Sequence, residues 1–191
     1  MTENTRRSLS HERSISYRSF ARDDGCFDIE GHLRDVKGYD YTDRERGILP
    51  PGSPVHDIHA TLTIDADMTV REFRHELRAA PFGYCQGAID PSRLVGASIR
   101  KGWRKALSEA FGPFGGCTHL REMVFGMGTV AFQTISALRD QRMFAAGASD
   151  ADRTEVPFFL DGCHSWARTS PVVATYLPQF HTSGHEDEDP A

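Results

Sequence analysis

The first half of the chain alternates apolar and polar side chains as β-strands do. Residues 15–21 have the character of a strand, a turn sequence follows at 22–25, and strict alternation runs over 26–36. A period of two is typical of a strand with one buried face, so these residues predict a β-hairpin. Alternation over 58–64, a turn at 65–67 and a more polar return over 69–77 predict a second hairpin. A proline- and glycine-rich segment at 39–54 predicts a surface loop between them.

In the second half, apolar residues recur every three or four positions, which is the period of a helix. This spacing predicts a long helix over 117–139 and shorter ones over 103–111 and 171–176. Asp90-Pro91-Ser92 has the sequence of a helix start, with Asp at the N-cap and Pro at the first helical position. Strands first and helices afterwards favour an α+β fold, in which an antiparallel sheet from two N-terminal hairpins is packed against C-terminal helices.

Length and composition suit a small globular protein. The 191 residues are 39% hydrophobic and 26% charged, which is typical of one domain. We expect a disordered lead-in at 1–12, a single α+β domain at 13–182 and an acidic disordered tail at 183–191. The net charge of −5 speaks against a nucleic-acid partner, which would need clustered Lys and Arg. No apolar run is long enough for a membrane span or a signal peptide, so we expect a cytoplasmic protein with no membrane partner. The sequence leaves a homodimer open.

Four widely spaced cysteines, with no CxxC pair, predict reduced thiols rather than a disulfide scaffold. Cys117 is the most conspicuous, because it follows two glycines, opens the long helix and precedes His119 by two residues. A thiol in the first turn of a helix faces unpaired backbone N–H groups and the positive end of the helix dipole, which favours the thiolate. Cys117 is therefore an activated thiol, a metal ligand or a packed cap residue.

A metal site is the second chemical possibility, because soft Cys and borderline His side chains suit zinc or iron. The spacing is not that of a zinc finger, so the prediction requires distant loops to converge. We therefore expect either no cofactor or a single zinc or iron ion. The candidate ligands are Cys85, Cys117, His119, Cys163 and His56.

The polar face of the first hairpin is the third feature. Two carboxylates, an imidazole and a guanidinium follow one another at alternate positions: Asp28, Glu30, His32 and Arg34. This face is either a solvent-facing strand held by ion pairs or the floor of a site. A histidine beside carboxylates is held in one tautomer and can titrate near neutral pH. The chain contains no GxSxG, P-loop, GxGxxG or HExxH motif.

Taken together, these motifs resemble an uncharacterised proteobacterial family, the domain of unknown function numbered 2889. The resemblance covers roughly residues 13–180, and Cys26 departs from it, since an apolar residue is expected there. It rests on Tyr17-Arg18, Arg22-Asp23-Asp24-Gly25, Asp28-Ile29-Glu30-Gly31-His32-Leu33 with Asp35 and Lys37, Pro50-Pro51-Gly52, His56-Asp57, Ala80-Pro81-Phe82-Gly83 with Cys85, Gly116-Cys117-Thr118-His119-Leu120, and Cys163-His164. The resemblance implies a role in the catabolism of plant-derived aromatics.

The chain is also similar, over about 80 residues, to iron–sulfur scaffold proteins of the NifU type. That similarity rests on the second hairpin, on Gly83-Tyr84-Cys85 at the end of the sheet, and on Cys117 at the start of the long helix. The first cysteine of that family is missing, and His56 or Asp57 lies near its place. The replacement favours zinc or mononuclear iron over a transient cluster.

The resulting functional hypothesis is a small-molecule enzyme of aromatic catabolism. It would be a lyase that cleaves a carbon–carbon bond of a lignin-derived phenolic and releases formaldehyde by acid/base chemistry. Its candidate catalytic residues are His32, Asp28, Glu30, Tyr41 and His119. A metal-binding scaffold or structural protein using the Cys and His ligands is the alternative, and a binding module for aromatic acids is a third. Under all three hypotheses we expect the imidazole groups to line one shared cavity, together with the thiols or with the acidic face of the first hairpin.

Overall fold

A computed structural model describes residues 5–112 and 116–183. The chain divides into two compact units, residues 1–133 and 134–191, and the division falls inside one continuous helix. A single domain over 13–182 stays a prediction. The acidic tail from residue 184 onward and the glycine-containing break at 113–115 lie outside the described residues. Residues 5–10 have no regular structure, and the first strand begins at His11, inside the predicted lead-in.

The first unit is built on a four-stranded antiparallel sheet, which confirms the α+β fold and both hairpins. Its strands are β1 (His11–Ala21), β2 (Phe27–Lys37), β5 (Pro54–Ile64) and β6 (Val70–Ala79), in the order β1-β2-β5-β6. The turn at 22–25 joins β1 to β2, and Gly25 takes the left-handed conformation there, with φ of 82°. The segment 39–54 is not only a loop, because it also holds a short hairpin of β3 (Tyr41–Asp43) and β4 (Gly47–Leu49).

Helices α1 (Trp103–Ala110) and α2 (Thr118–Ala145) follow the sheet. Helix α2 is longer than predicted, and the apolar stripe predicted for it is buried except at its last position, Leu138, which is half-buried. The buried stripe consists of Leu120, Met123, Val124, Met127, Ala131 and Ile135. The predicted helix start at Asp90 opens only a short 3₁₀ turn, Pro91–Leu94, in which the Asp90 side chain accepts a hydrogen bond from the Ser92 amide.

Two glycines allow α2 to approach the sheet closely. A Cβ atom on Gly31 of β2 would lie 3.0 Å from the Met123 side chain, and one on Gly126 of α2 would overlap the ring and hydroxyl of Tyr17. The Tyr17 hydroxyl donates a hydrogen bond to the Met123 carbonyl at 3.1 Å. One face of the sheet, called here the helix face, is therefore buried under α2. The opposite face, called here the outer face, carries most of the polar residues of β2 and β5.

A β-bulge interrupts the β2–β5 pairing at its end. Asp35 pairs with His56, but the next residue, Val36, pairs with Pro54, so Val55 is the extra residue of β5. At this position two adjacent residues of β2, Asp35 and Val36, are both buried, with exposures of 2% and 5%. The bulge thus lies beside Asp35, a buried carboxylate on the helix face.

The second unit, residues 134–191, contains the end of α2 and the helix α3 (Pro171–Tyr176), which was predicted. The Ser170 hydroxyl caps α3 by accepting a hydrogen bond from the Val173 amide. A small core is formed by Leu160, Val173 and Leu177, with Phe159, Trp166 and Phe180 packed against it. None of the helices within residues 5–112 and 116–183 combines the length and the apolar character that crossing a membrane requires.

Candidate functional site

Two histidines and a carboxylate meet on the outer face of the sheet. His32 of β2 and His59 of β5 are direct cross-strand partners, and their rings stack with centroids 4.0 Å apart and planes 14° apart. The Nε2 atoms of both rings face the same oxygen, Oδ1 of Asp57, at 2.9 Å from His32 and 3.1 Å from His59. Asp57 and His59 lie two residues apart on β5 and so project from the same face.

The histidine pair lies in the floor of an open groove of about 350 Å³, called here the outer groove. This volume is within the range of small-molecule sites. Each arginine of the groove pairs with a nearby carboxylate: Arg18 with Glu30 at 3.4 Å, Arg74 with Glu72 at 3.1 Å and Arg78 with Glu76 at 3.0 Å. The lining residues are Ser16, Arg18, Glu30, Gly31, His32, His59, Ala60, Thr61, Arg74, His75, Glu76 and Arg78.

Hydrogen bonding assigns the free nitrogen of His59. A carboxylate can only accept hydrogen bonds, so each Nε2 that contacts Asp57 carries its proton. Burial lowers the pKa of His59, and the neighbouring His32 and Arg78 charges lower it further, against the attraction of Asp57. His59 is therefore neutral at pH 7, and its unprotonated nitrogen is Nδ1. The ring is a base held in one orientation by Asp57.

A second polar cluster lies on the helix face, called here the Asp35 cluster: Asp35, His56 and His119 with their neighbours His11 and Arg13. Asp35 Oδ2 lies 3.0 Å from His56 Nδ1 and 3.8 Å from His119 Nε2. Arg13 donates from Nε to Oδ1 at 2.7 Å and from a terminal nitrogen to Oδ2 at 2.9 Å. His11 Nε2 lies 3.3 Å from Oδ1.

The cluster fixes the charge of its three central groups. Burial opposes ionisation of Asp35, but hydrogen bonds and charge from Arg13 outweigh it and lower its pKa to about 2. Burial lowers the pKa of His56 to about 4, assisted by His119 and opposed by Asp35. Burial also lowers the pKa of His119, with a further contribution from Arg13. At pH 7 the cluster holds an ionised carboxylate beside two neutral imidazoles.

A family model described as a protein of unknown function (DUF2889) matches residues 11–133. The chain belongs to this family. The match includes every residue of the outer groove and of the Asp35 cluster. No curated protein and no solved structure matches the chain, so the similarity to NifU-type scaffolds is not shown.

The predicted catalytic residues do not form one group. His32 and Glu30 line the outer groove. Asp28 accepts a hydrogen bond from the Thr63 hydroxyl at 2.7 Å on the same face of β2 but is not part of the groove lining. Tyr41 lies on the separate β3–β4 hairpin, with the Lys37 ammonium above its ring. His119 contacts His56 on the helix face, so the sheet separates it from His32.

The predicted metal ligands are also only partly assembled. His56 and His119 meet, and their rings are tilted by 35° with centroids 3.9 Å apart. Cys117 lies directly before α2, and its Sγ is 3.7 Å from His119 Nδ1. Cys85 lies in a 3₁₀ turn after β6, and Cys163 is exposed in the second unit. Among the described residues, the groups that could hold a metal ion contain no cysteine. All four cysteines are free thiols.

Sequence reasoning missed the two carboxylates that organise these clusters. Asp57 was noted only as part of His56-Asp57, and Asp35 only as part of the family resemblance. Asp35 falls in the apolar register of β2, two positions after the buried Leu33, and a carboxylate in that register predicts a buried ion pair or ligand. His59 is one of the polar positions of β5, and it pairs with His32 of β2. The two strands belong to different hairpins, so the alternation within each hairpin does not show which of their residues pair.

Proposed function

We propose that this chain is a small-molecule enzyme of aromatic catabolism, a carbon–carbon lyase that releases formaldehyde from a lignin-derived phenolic. One observation carries the proposal: two stacked imidazoles share a single carboxylate oxygen in the floor of an open groove. Such an arrangement supplies a base and an acid side by side, which is what this reaction class requires. The aromatic substrate class comes from the family resemblance, and we expect the reaction in the cytoplasm.

The reaction assigns a role to each ring. His59 Nδ1 takes the proton of a hydroxymethyl group on the substrate. The C–O bond of that group becomes the carbonyl of formaldehyde as the adjacent carbon–carbon bond breaks. The released electron pair forms a carbon–carbon double bond and expels a phenolate from the next carbon. His32, entering the reaction as the imidazolium, gives its Nδ1 proton to that oxygen. Afterwards His59 releases its proton to solvent and His32 takes one up, which restores the starting state. All electrons stay within the substrate, and the proton lost equals the proton gained.

Arginines of the groove favour an anionic substrate. Arg18, Arg74 and Arg78 are all more than half exposed, and their ion pairs with neighbouring glutamates are of the surface type that contributes about 0–1 kcal/mol. An aromatic carboxylate or phenolate can therefore displace a glutamate at low cost. Guanidinium groups also bind planar carboxylates through two parallel hydrogen bonds.

The stacked geometry favours acid/base chemistry over metal binding at this pair. An imidazole lone pair lies in the ring plane, and a zinc–nitrogen bond is about 2.1 Å long. The ring planes are only 14° apart and the ring centroids are 4.0 Å apart, so the in-plane lone pairs of two Nε2 atoms run side by side rather than toward one ion. His32 and His59 would have to unstack before they could share an ion.

The proposal is tested by incubating the purified protein with phenolic dimers that carry a hydroxymethyl group and measuring formaldehyde by derivatisation. We expect His59→Gln and His32→Gln to lower kcat by about 10²–10⁴-fold, the usual contribution of a general acid or base. Arg74→Gln should mainly raise KM. His164→Gln, an exposed histidine of the second unit, is the matched control and should retain full turnover.

Two outcomes would contradict the proposal. Full turnover in both groove variants would place the chemistry elsewhere. Saturable binding of an aromatic acid in the groove, without product from any dimer of the panel, would instead support the binding-module hypothesis.

A further inference from the structure

The Asp35 cluster brings three donor atoms of metal-ligand type to one point on the helix face. Asp35 Oδ2, His56 Nδ1 and His119 Nε2 all lie within 4.8 Å of one another. They come from three elements, β2, β5 and α2, so no local sequence motif assembles them. Neither the acid/base reaction proposed for the outer groove nor the family description uses these residues.

The separations are those of ligands around a single ion. Donor atoms about 2.1 Å from a tetrahedral ion lie about 3.4 Å from each other. The carboxylate oxygen is 3.0 Å from the His56 nitrogen and 3.8 Å from the His119 nitrogen, on either side of that value. The His56 and His119 rings are tilted by 35° rather than parallel, so their planes converge. His56 Nδ1 contacts Asp35 at 3.0 Å, and metal binding there requires the tautomer of His56 that carries its proton on Nε2.

Outer partners orient two of these three donors, Asp35 and His119, as is usual for metal ligands. Arg13 holds the Asp35 carboxylate through two hydrogen bonds, which leaves the side of Oδ2 that faces the imidazoles for an ion. His119 presents its second nitrogen, Nδ1, to the Cys117 sulfur at 3.7 Å. The sulfur lies where it can accept the Nδ1 proton, and the Nε2 lone pair then faces Asp35. Cys117 is thus an orienting residue in this arrangement.

Burial and charge also fit a cation. The Asp35 side chain is almost completely buried, and a buried carboxylate is stable only when it is paired or bound to a metal. Its one fixed positive partner, Arg13, is shared with Glu122, which lies 3.0 Å from the same guanidinium. Two carboxylates, those of Asp35 and Glu122, therefore share the positive charge of Arg13.

We propose that Asp35, His56 and His119 bind one divalent transition-metal ion, of the zinc or ferrous class, with at least one coordination position left open. Two imidazoles and one carboxylate form a donor set that both ions use. This site replaces the cysteine-rich ligand set expected from the sequence. It lies on the opposite face of the sheet from the outer groove.

Metal content and cobalt spectroscopy of the full chain test the proposal. Protein expressed with zinc or with iron supplementation should contain about one ion per chain, and the better-retained metal identifies the ion. Cobalt(II) added to chelator-treated protein should give visible d–d bands with a one-to-one endpoint. His56→Gln and His119→Gln should each remove the bands, while Cys117→Ala should weaken affinity by about 10–100-fold, as expected for an orienting partner.

The outer-face pair provides the matched control, because His59→Gln removes an imidazole from the same strand but from the other face. It should bind cobalt as the unsubstituted chain does. Far-UV circular dichroism verifies that each variant is folded, and a variant that unfolds is replaced by His119→Asn. The proposal is wrong if folded His56→Gln and His119→Gln retain the metal, or if the unsubstituted chain gives no cobalt bands. None of these readouts depends on turnover, so the proposed lyase activity stands or falls separately.

Discussion

Removing Arg13 should destabilise the protein far more than removing another arginine of the same strand. Arg13 donates two hydrogen bonds to Asp35, whose side chain is 3% exposed, so Arg13→Met leaves a buried charge without its main partner. Breaking a buried pair in this way costs about 3–5 kcal/mol. The guanidinium itself is 32% exposed, so we expect the lower end, about 3 kcal/mol. The fall in the pKa of Asp35 from 3.8 to about 2 independently corresponds to about 2 kcal/mol.

The effect should depend on pH with a defined sign. In the unsubstituted chain the pKa of Asp35 is lowered, so its contribution to stability is complete above its ordinary value and is lost as the pH falls toward 2. Without Arg13, burial dominates and raises the pKa of Asp35, so the penalty disappears as the pH falls through that raised value. The stability difference between the two proteins should therefore be largest near pH 7 and shrink as the pH falls, first through the raised pKa of the variant and then toward pH 2.

Urea unfolding followed by circular dichroism measures both effects, with a chelator present so that bound metal makes no contribution. Arg18→Met is the matched control, because Arg18 is on the outer face of β1 and 75% exposed, and it should cost less than about 0.5 kcal/mol. Asp35→Asn added to Arg13→Met should recover part of the lost stability. Equal costs for the two arginine variants, or a difference that does not change with pH, would refute the reasoning.

Three further substitutions test the packing and the local ion pairs. Gly126→Ala places a methyl group against the Tyr17 ring and should lower stability by about 1–3 kcal/mol in urea unfolding. Asp43→Asn removes a carboxylate whose pKa is lowered to about 2, chiefly by Arg46, so the variant should show a smaller loss of stability than the unsubstituted chain as the pH falls from 4 to 2. Ser170→Ala removes the cap of α3 and should cost about 1 kcal/mol, measured by thermal unfolding.

The elements with a clear period were predictable from sequence. Phe27, Ile29 and Leu33 are buried on the helix face of β2, as their alternation indicates. Helix α1 begins at Trp103 as predicted, because its apolar residues recur at helical spacing and form one buried face. The Asp90 cap was also recognised, although the helix it was expected to open is only a 3₁₀ turn, since Gly96 with φ of 84° follows within a few residues.

Features that depend on pairing or packing were not predictable in the same way. The β-bulge near Asp35 depends on one extra residue in β5, Val55, and only the pairing of two strands reveals it. The β3–β4 hairpin was hidden because turn residues dominate segment 39–54. The meeting of His119 with Asp35 depends on where α2 lies across the sheet, which Gly31 and Gly126 permit but do not specify from sequence alone.

The imidazole groups fall into two clusters, one with the acidic hairpin face and one with a thiol, because the side chains of a single strand face two ways. His56 and Asp57 are neighbours on β5, and neighbouring side chains of a strand project from opposite faces of its sheet. His56 therefore joins Asp35 and His119 beneath α2, while Asp57 joins the histidine pair of the outer groove. The sulfur of Cys117 belongs to the first group, so chemistry in the outer groove must rely on nitrogen and oxygen groups. A dipeptide that looks like one motif in the sequence thus contributes to two separate clusters, one on each face of the sheet.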